Sequence, residues 1–230
     1  MNGTSFVLLI ILEFGIITWI GGSMTGTFIT IEGPDGAGKT TAAADLRNRL
    51  TAMGVPCLLT REPGGSAIAE QIRSILLNPE NTAMDPVTEA ILYAAARRQH
   101  LMEVVRPALE AGMTVICDRF VDSSLAYQGH ARGLGFDTVW SINEPAVQDL
   151  LPDLTILLDI EDEQALARIQ ARGQLDRFDL EGRDFRKQVR EGFLAALRRF
   201  PGRIVRIDGS QTREQVTEAI LRVCRDRHIL

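Results

Sequence analysis

Apolar and polar positions along the chain follow two alternating patterns. Short runs of β-branched and aliphatic residues are each followed by a longer segment in which apolar residues recur every three or four positions. The first pattern predicts buried strands and the second predicts amphipathic helices. We predict five strands, over residues 27–32, 57–60, 113–117, 154–160 and 203–207.

Helices fill the intervals between these strands. We predict them near residues 43–53, 66–77, 87–111, 136–149, 163–171, 185–197 and 216–224. Pro107 is expected to kink or break the longest of them. The polar segment 172–182 is predicted to be a mobile lid. Alternation of strands and helices predicts an α/β fold in which helices cover both faces of a parallel sheet of about five strands.

The first 23 residues differ from the rest of the chain. Residues 6–20 are almost wholly apolar, but the run is shorter than the roughly 20 residues of a transmembrane helix and contains Glu13. A signal peptide requires a basic segment before its apolar run, but residues 1–23 contain no Lys or Arg. We interpret residues 1–23 as a mis-assigned start, with Met24 as the initiator of one domain over 24–230. The alternative is a weakly membrane-interacting segment.

Composition narrows the class of protein. The chain of 230 residues is 45% hydrophobic and 24% charged, which is ordinary for a globular protein, and its net charge of −5 argues against nucleic-acid binding. Its three cysteines and three histidines stand at no metal-ligand spacing, so no zinc site is predicted. Unpaired cysteines of this kind favour a reducing compartment, and we predict a cytoplasmic protein without a membrane partner.

Lysine usage draws attention to one segment. Only Lys39 and Lys187 are lysines among 25 basic residues, so a lysine at position 39 indicates a site that needs a compact ammonium group. Residues 33–40, GPDGAGKT, match G-x-x-x-x-G-K-[ST] between a predicted strand and a predicted helix. We predict that this loop binds the phosphates of ATP. Its binding residues are Gly33, Pro34, Asp35, Gly36, Ala37, Gly38, Lys39, Thr40 and Thr41.

Two oxygen-bearing side chains are predicted to hold Mg²⁺ beside this loop. The Thr40 hydroxyl is the metal contact of the motif, and Asp118 ends the third predicted strand. An acidic residue at a strand end next to a phosphate loop commonly binds the metal.

The motif alone admits GTPases, motor ATPases and small-molecule kinases. The base-reading N-K-x-D of a GTPase is absent, because the only lysine after Lys39 is Lys187, in RKQV. A short chain with its own arginine-rich segment favours a small kinase with an internal lid.

Six blocks of sequence, in order, carry a resemblance to a known family. They are residues 28–41, 60–65, 92–100, 118–129, 152–155 and 171–177. The chain resembles bacterial thymidylate kinases. The resemblance implies a three-layer P-loop nucleoside monophosphate kinase fold, transfer of a phosphoryl group from ATP to dTMP with Mg²⁺, and a homodimer.

Two phosphate-loop residues, Lys39 and Asp35, are predicted to be catalytic: Lys39 stabilises the transferred charge, and Asp35 orients the acceptor nucleotide.

The resemblance also implies roles for the residues that bind the acceptor. Arg61 and Arg119 match arginines that bind its phosphate, and Tyr93 matches a ring that stacks on thymine. Arg97 matches a donor to the thymine carbonyl, although an arginine in an apolar helical stripe is also typical of an internal salt bridge. The remaining matches are Ser124 and Gln128 at the base edge and Tyr127 at the sugar.

The family has two ways to supply a catalytic arginine, and Gly36 places this chain with those that use the lid. The resemblance implies Arg172 and Arg177 as catalytic residues, with Arg168 next in line. Two rivals stay open: a kinase for another monophosphate such as dUMP or dCMP, and a P-loop switch or DNA-repair ATPase without a small acceptor.

The interpretation of residues 1–23 leads to a first prediction. A chain that begins at Met24 should fold and retain full activity, because the apolar leader precedes the first predicted core strand. Thermal unfolding and turnover of the full and shortened chains test this. A large loss of melting temperature or turnover in the shortened chain would show that the leader packs on the domain.

Overall fold

The computed structural model describes residues 26–148, 150–172, 177–178 and 180–229, and of Arg172 only the backbone. The leader over 1–23, and residues 173–176 and 179 of the predicted lid, lie outside the described residues.

Five parallel strands form one sheet in the order β2-β3-β1-β4-β5. They are β1 (Phe28–Glu32), β2 (Cys57–Arg61), β3 (Thr114–Asp118), β4 (Leu154–Asp159) and β5 (Ile204–Asp208). The predicted parallel sheet is confirmed, with strand ends within about two residues of those expected. All residues of β1 and β4 are buried, which is why these strands read as continuous apolar runs without alternation.

Helices cover both faces of the sheet. They are α1 (Lys39–Ala52), α2 (Ala67–Leu77), α3 (Pro86–His100), α4 (Arg106–Glu110), α5 (Val121–Ser124), α6 (Phe136–Val147), α7 (Asp162–Arg172), α8 (Arg183–Arg199) and α9 (Arg213–Asp226). Among the described residues, no helix is long and apolar enough to cross a bilayer.

Apolar cores lie on both faces of the sheet. Ile29 and Ile31 of β1 belong to a core that includes residues of α1 and α9. Phe28, one pleat position away, belongs to the core on the opposite face. Alternate side chains of a strand point to opposite faces, so a single strand anchors both helical layers. The result is the predicted three-layer α/β arrangement.

The predicted helix over 87–111 is confirmed in extent, and the break expected near Pro107 is found as a change of helix type. A π-helical segment, Leu101–Val105, separates α3 from α4. Pro107 sits in the first turn of α4, where its missing N–H interrupts the regular hydrogen-bond ladder.

One helical segment was missed from the sequence. Residues 121–131 form α5 and a π-helical continuation, Leu125–Ala131, in which nearly every residue from 121 to 129 is buried. A helix buried on all sides has no polar face, and therefore shows no amphipathic period.

Parallel strands end at the same edge of a sheet, and every strand here ends on a charged residue. These residues are Glu32, Arg61, Asp118, Asp159 and Asp208. In open α/β sheets, ligands bind at this edge.

Candidate active site

The loop between β1 and α1 is a close-packed turn that only glycine can form. Gly33, Gly36 and Gly38 all have positive φ, at 142°, 79° and 92°. A Cβ on Gly33 would lie 2.3 Å from the Leu158 carbonyl oxygen, and one on Gly36 would lie 2.4 Å from that of Ala165. Packing against α7 therefore leaves no room for a basic side chain at position 36. The N-terminus of α1 faces the loop and favours bound phosphate.

Lys39 is buried at the base of this loop. Its Nζ donates to the Pro34 carbonyl oxygen at 2.7 Å and lies 3.8 Å from Asp35 Oδ1. Burial, and then the positive charge of Arg119, lower the pKa of Lys39 to about 8. The ammonium group is therefore partly stripped of water before any phosphate arrives, which strengthens its attraction for an anion.

Thr40 and Asp118 meet as the sequence predicts. Thr40 Oγ1 donates to Asp118 Oδ2 at 2.5 Å. The second carboxylate oxygen, Asp118 Oδ1, is buried and has no hydrogen-bond partner among the described residues. Magnesium takes hard oxygen ligands, usually one or two carboxylates together with substrate phosphates. The pair therefore fits a Mg²⁺ site of that kind.

Arg119 joins the end of β3 to the phosphate loop. Its φ of 73° is in the left-handed region, which is uncommon for a residue other than glycine. The guanidinium donates to Asp35 and, at 3.1 Å, to the Gly33 carbonyl oxygen. Tyr127 OH donates to the other Asp35 oxygen at 2.8 Å. Asp35 is thus held between two of the predicted acceptor-binding residues.

Glu32 lies beneath this cluster and was not singled out in the sequence. Its buried carboxylate accepts from the Phe120 and Ser123 amides at 2.7 and 3.1 Å, and from Ser123 Oγ at 2.6 Å. Burial, with the negative charge of Asp122, raises the pKa of Glu32 to about 7. The carboxylate caps the segment that carries Tyr127 and Gln128. The sequence signal that could have identified Glu32 is an acidic residue at the end of an otherwise apolar strand.

A cavity of about 680 Å³ extends from the phosphate loop. Arg61, Arg73 and Arg119 lie in its wall, and Tyr93 and Gln128 lie there as well. Arg73 was missed in the sequence; it donates to the Pro63 carbonyl oxygen at 2.7 Å. Arg61 pairs with Glu70 at 2.9 Å. Guanidinium groups of the kind that bind phosphate, an aromatic ring and an amide therefore share one cavity. The predicted loop residues on its wall are Asp35, Gly36, Gly38, Lys39, Thr40 and Thr41.

Arg97 lies behind this wall, in the internal ion pair that the sequence left open. Its side chain is 2% exposed, and Nε donates to Glu62 Oε2 at 2.8 Å. The same guanidinium donates to Asn143 and, at 3.2 Å, to Ser124 Oγ. Its role as a donor to the base carbonyl stays a prediction, and so does the contact of Ser124 with the base edge.

The structure separates the predicted lid arginines. Arg177 is 8% exposed; it donates to the Leu76 carbonyl oxygen at 3.0 Å and to Glu89 Oε2 at 2.5 Å, so its guanidinium does not face the phosphate loop. The catalytic role of Arg177 stays a prediction. Arg168, which the resemblance placed next in line after Arg172 and Arg177, donates to the Gly36 carbonyl oxygen at 3.3 Å. The side chain of Arg172 lies outside the described residues.

A phosphate loop that opens into a cavity lined by arginines, an aromatic ring and an amide defines a P-loop kinase of small nucleotides. A model of the family described as thymidylate kinase matches residues 31–220. The chain belongs to the thymidylate kinase family.

Individual relatives agree with the family match. A thymidylate kinase of Bacillus velezensis is 54% identical over 202 residues, which cover 87% of this chain and 95% of the relative. One of Clostridium novyi is 51% identical over 197 residues, or 85% and 96% of the two chains. The crystal structure of thymidylate kinase from Ehrlichia chaffeensis superimposes with a TM-score of 0.70 at 32% identity, covering 86% of this chain and 98% of that one.

Replacing Lys39 should remove activity without weakening the fold. We expect Lys39→Met to lower kcat by about 10²–10³-fold, since one donor that stabilises transition-state charge contributes about 2.7–4 kcal/mol. Lys39→Arg should not restore it, because the planar guanidinium is larger than the buried site. The measurement is steady-state kinetics on both variants.

Thermal unfolding across pH supplies the control for folding. The pKa of Lys39 is lowered from 10.5 to about 8 in the folded chain, so the unfolded chain binds more protons between these values. Wild-type stability should therefore rise relative to Lys39→Met as pH increases from about 8 to 10.5. A Lys39→Met protein that unfolds at much lower temperature near pH 7, or a Lys39→Arg protein with near-normal kcat, contradicts this account.

Proposed function

We propose that this chain transfers the γ-phosphoryl group of ATP to dTMP with the aid of Mg²⁺. Membership of the thymidylate kinase family supports phosphorylation of dTMP by a nucleotide donor. One observation carries the proposal: a single cavity of about 680 Å³ is lined at one end by the phosphate loop and elsewhere by Tyr93 and Gln128. The donor phosphate and the acceptor nucleotide are therefore proposed to share this one cavity.

The chemistry asked of the protein is positioning and neutralisation of charge. Phosphoryl transfer passes directly from donor to acceptor, with negative charge spread over the transferred oxygens. The backbone amides at the start of α1 and the Lys39 ammonium bind that charge. Thr40 and Asp118 would hold Mg²⁺, which would offset the negative charge of the donor phosphates. No side chain needs to form a covalent intermediate.

The acceptor is oriented from the opposite side. Arg61 and Arg119 are proposed to bind the phosphate of dTMP, because a planar guanidinium bonds a phosphate through two parallel N–H groups. Arg73 lies in the same wall and is added to this group. Tyr93 is proposed to stack on the base and Tyr127 to contact the sugar. Asp35, held by Arg119 and Tyr127, fixes these residues relative to the donor loop.

We infer that two copies of the chain associate through α2 and α3. Large apolar side chains are exposed on these helices at Ile68, Ile75, Val87 and Ile91, which are 41–52% exposed. A continuous apolar surface on a monomer marks an interaction site. A second copy is the occupant that family resemblance supports.

Acceptor preference tests the proposed reaction. In a coupled assay of ADP release, dTMP should be the best acceptor. dUMP, which lacks only a methyl group worth about 1–3 kcal/mol, should be weaker, and dCMP should be rejected most strongly. Little ATP should be hydrolysed without an acceptor, because closure of the predicted lid over both substrates would exclude water.

Each rival predicts a different result in this assay. Equal turnover of dCMP and dTMP would indicate a kinase for another monophosphate. ATP hydrolysis that ignores all monophosphates would indicate a switch or repair ATPase.

The source of the catalytic arginine is a separate prediction. Arg172→Ala should lower kcat strongly and leave dTMP binding nearly unchanged, as expected for a contact made mainly in the transition state. Arg177→Ala should act chiefly on the acceptor side, given its pairing with Glu89. Steady-state kinetics with both substrates measure this, with the exposed Arg183→Ala as control. A normal kcat in Arg172→Ala and a large loss in Arg168→Ala would move the role to Arg168.

A further inference from the structure

A buried polar cluster lies behind the part of the cavity wall that contains Gln128. Gln128 Nε2 donates to Glu89 Oε1 at 2.8 Å, and the other oxygen of Glu89 accepts from Arg177 Nη2 at 2.5 Å. Arg132 Nε lies 3.5 Å from Glu89 Oε1. Glu89 and Gln128 are each 1% exposed. A carboxylate this deeply buried needs compensating charge, and two guanidinium groups supply it.

This cluster determines which end of the Gln128 amide is available to a ligand. An ionised carboxylate has no hydrogen to donate, so it can bond only the NH₂ end of an amide. With Nε2 bound to Glu89, the carbonyl Oε1 is left as the free polar group. No donor bonds this Oε1 among the residues that the structure describes, and Gln128 belongs to the wall of the 680 Å³ cavity.

A hydrogen-bond acceptor held in one orientation can distinguish thymine and uracil from cytosine. N3 of thymine and uracil carries a hydrogen and donates, whereas N3 of cytosine carries a lone pair and accepts. An amide carbonyl held toward N3 therefore bonds thymine and faces an unpaired acceptor in cytosine. If the amide were free to turn over, it would offer its NH₂ to cytosine equally well, and the distinction would be lost.

We propose that Glu89 is a positioning residue for base selection, and that it acts by locking the orientation of the Gln128 amide. Arg177 and Arg132 hold the Glu89 carboxylate in place. Arg177, which the resemblance implied as a catalytic residue, thereby supports the base pocket. This inference rests on the proposed use of dTMP and assigns part of its selectivity to a residue that need not touch the ligand.

The test is Glu89→Gln in the full chain. A glutamine of the same shape can both donate and accept, so Gln128 can then present either end of its amide. We expect the ratio of kcat/KM for dCMP to that for dTMP to rise at least about tenfold over wild type, the equivalent of one hydrogen-bond preference. Turnover of dTMP should persist, because the donor site is unchanged.

Glu181→Gln is the matched control. Glu181 pairs with Arg132 at 2.6 Å and makes no bond to Gln128, so this variant removes one ion pair of the same cluster without releasing the amide. Its dCMP to dTMP ratio should equal that of wild type. A purely structural role for Glu89 would lower the melting temperature in Glu89→Gln and leave the ratio unchanged, and that result overturns the proposal.

A second variant covers the case in which Glu89→Gln does not fold. Gln128→Met keeps Glu89 with both arginines and removes the amide. It should lose selectivity by weakening dTMP use more than dCMP use. Full wild-type selectivity in Gln128→Met overturns the proposal. Failure of the proposed function appears separately, as a wild-type enzyme that does not prefer dTMP.

Discussion

A buried ammonium group must be balanced by negative charge, and the residues at the centre of this structure supply that charge to Lys39. Asp35, Asp118 and Glu32 each favour its charged form, against the effects of burial and of Arg119. These carboxylates are themselves held in place, Asp35 by Arg119 and Glu32 by two backbone amides. One charge thereby ties together β1, β3 and the phosphate loop. Burial deprives the Lys39 ammonium of part of its solvation, and a bound phosphate would compensate for that loss. Burial therefore favours phosphate binding at this site.

On the acceptor side of the cavity, buried guanidinium groups are likewise balanced by carboxylates. Arg97 pairs with Glu62, and Arg177 pairs with Glu89, with each pair largely removed from water. Such pairs contribute little net stability, although removal of one partner costs about 3–5 kcal/mol. Their effect is geometric: each fixes a neighbouring side chain, Ser124 in one case and Gln128 in the other. The shortage of lysine in the chain agrees with this use of planar, directional donors.

Local sequence patterns predicted most of the fold because strands and amphipathic helices each show a characteristic spacing of apolar residues. The parallel sheet, the phosphate loop and the Thr40–Asp118 pair follow from motif and spacing. One element escaped for a physical reason: residues 121–129 are buried on all sides and show no amphipathic period. The break predicted at Pro107 is found, but the apolar period did not predict the π geometry of Leu101–Val105. The family resemblance named the cavity residues, but it did not state what holds them.

The sequence by itself identified the phosphate loop, because the glycines, the Lys39 ammonium and the Thr40 hydroxyl that would bind phosphate and metal lie within eight consecutive residues, 33–40. Only the tertiary structure decided the partners of the buried arginines and of the amide. Gln128 meets Glu89 across 39 positions, Arg177 meets the same carboxylate across 88, and Arg168 reaches Gly36 across 132. A helical period specifies which face of a helix a side chain occupies. It does not specify which distant group packs against that face, because that choice depends on how the layers close around the sheet.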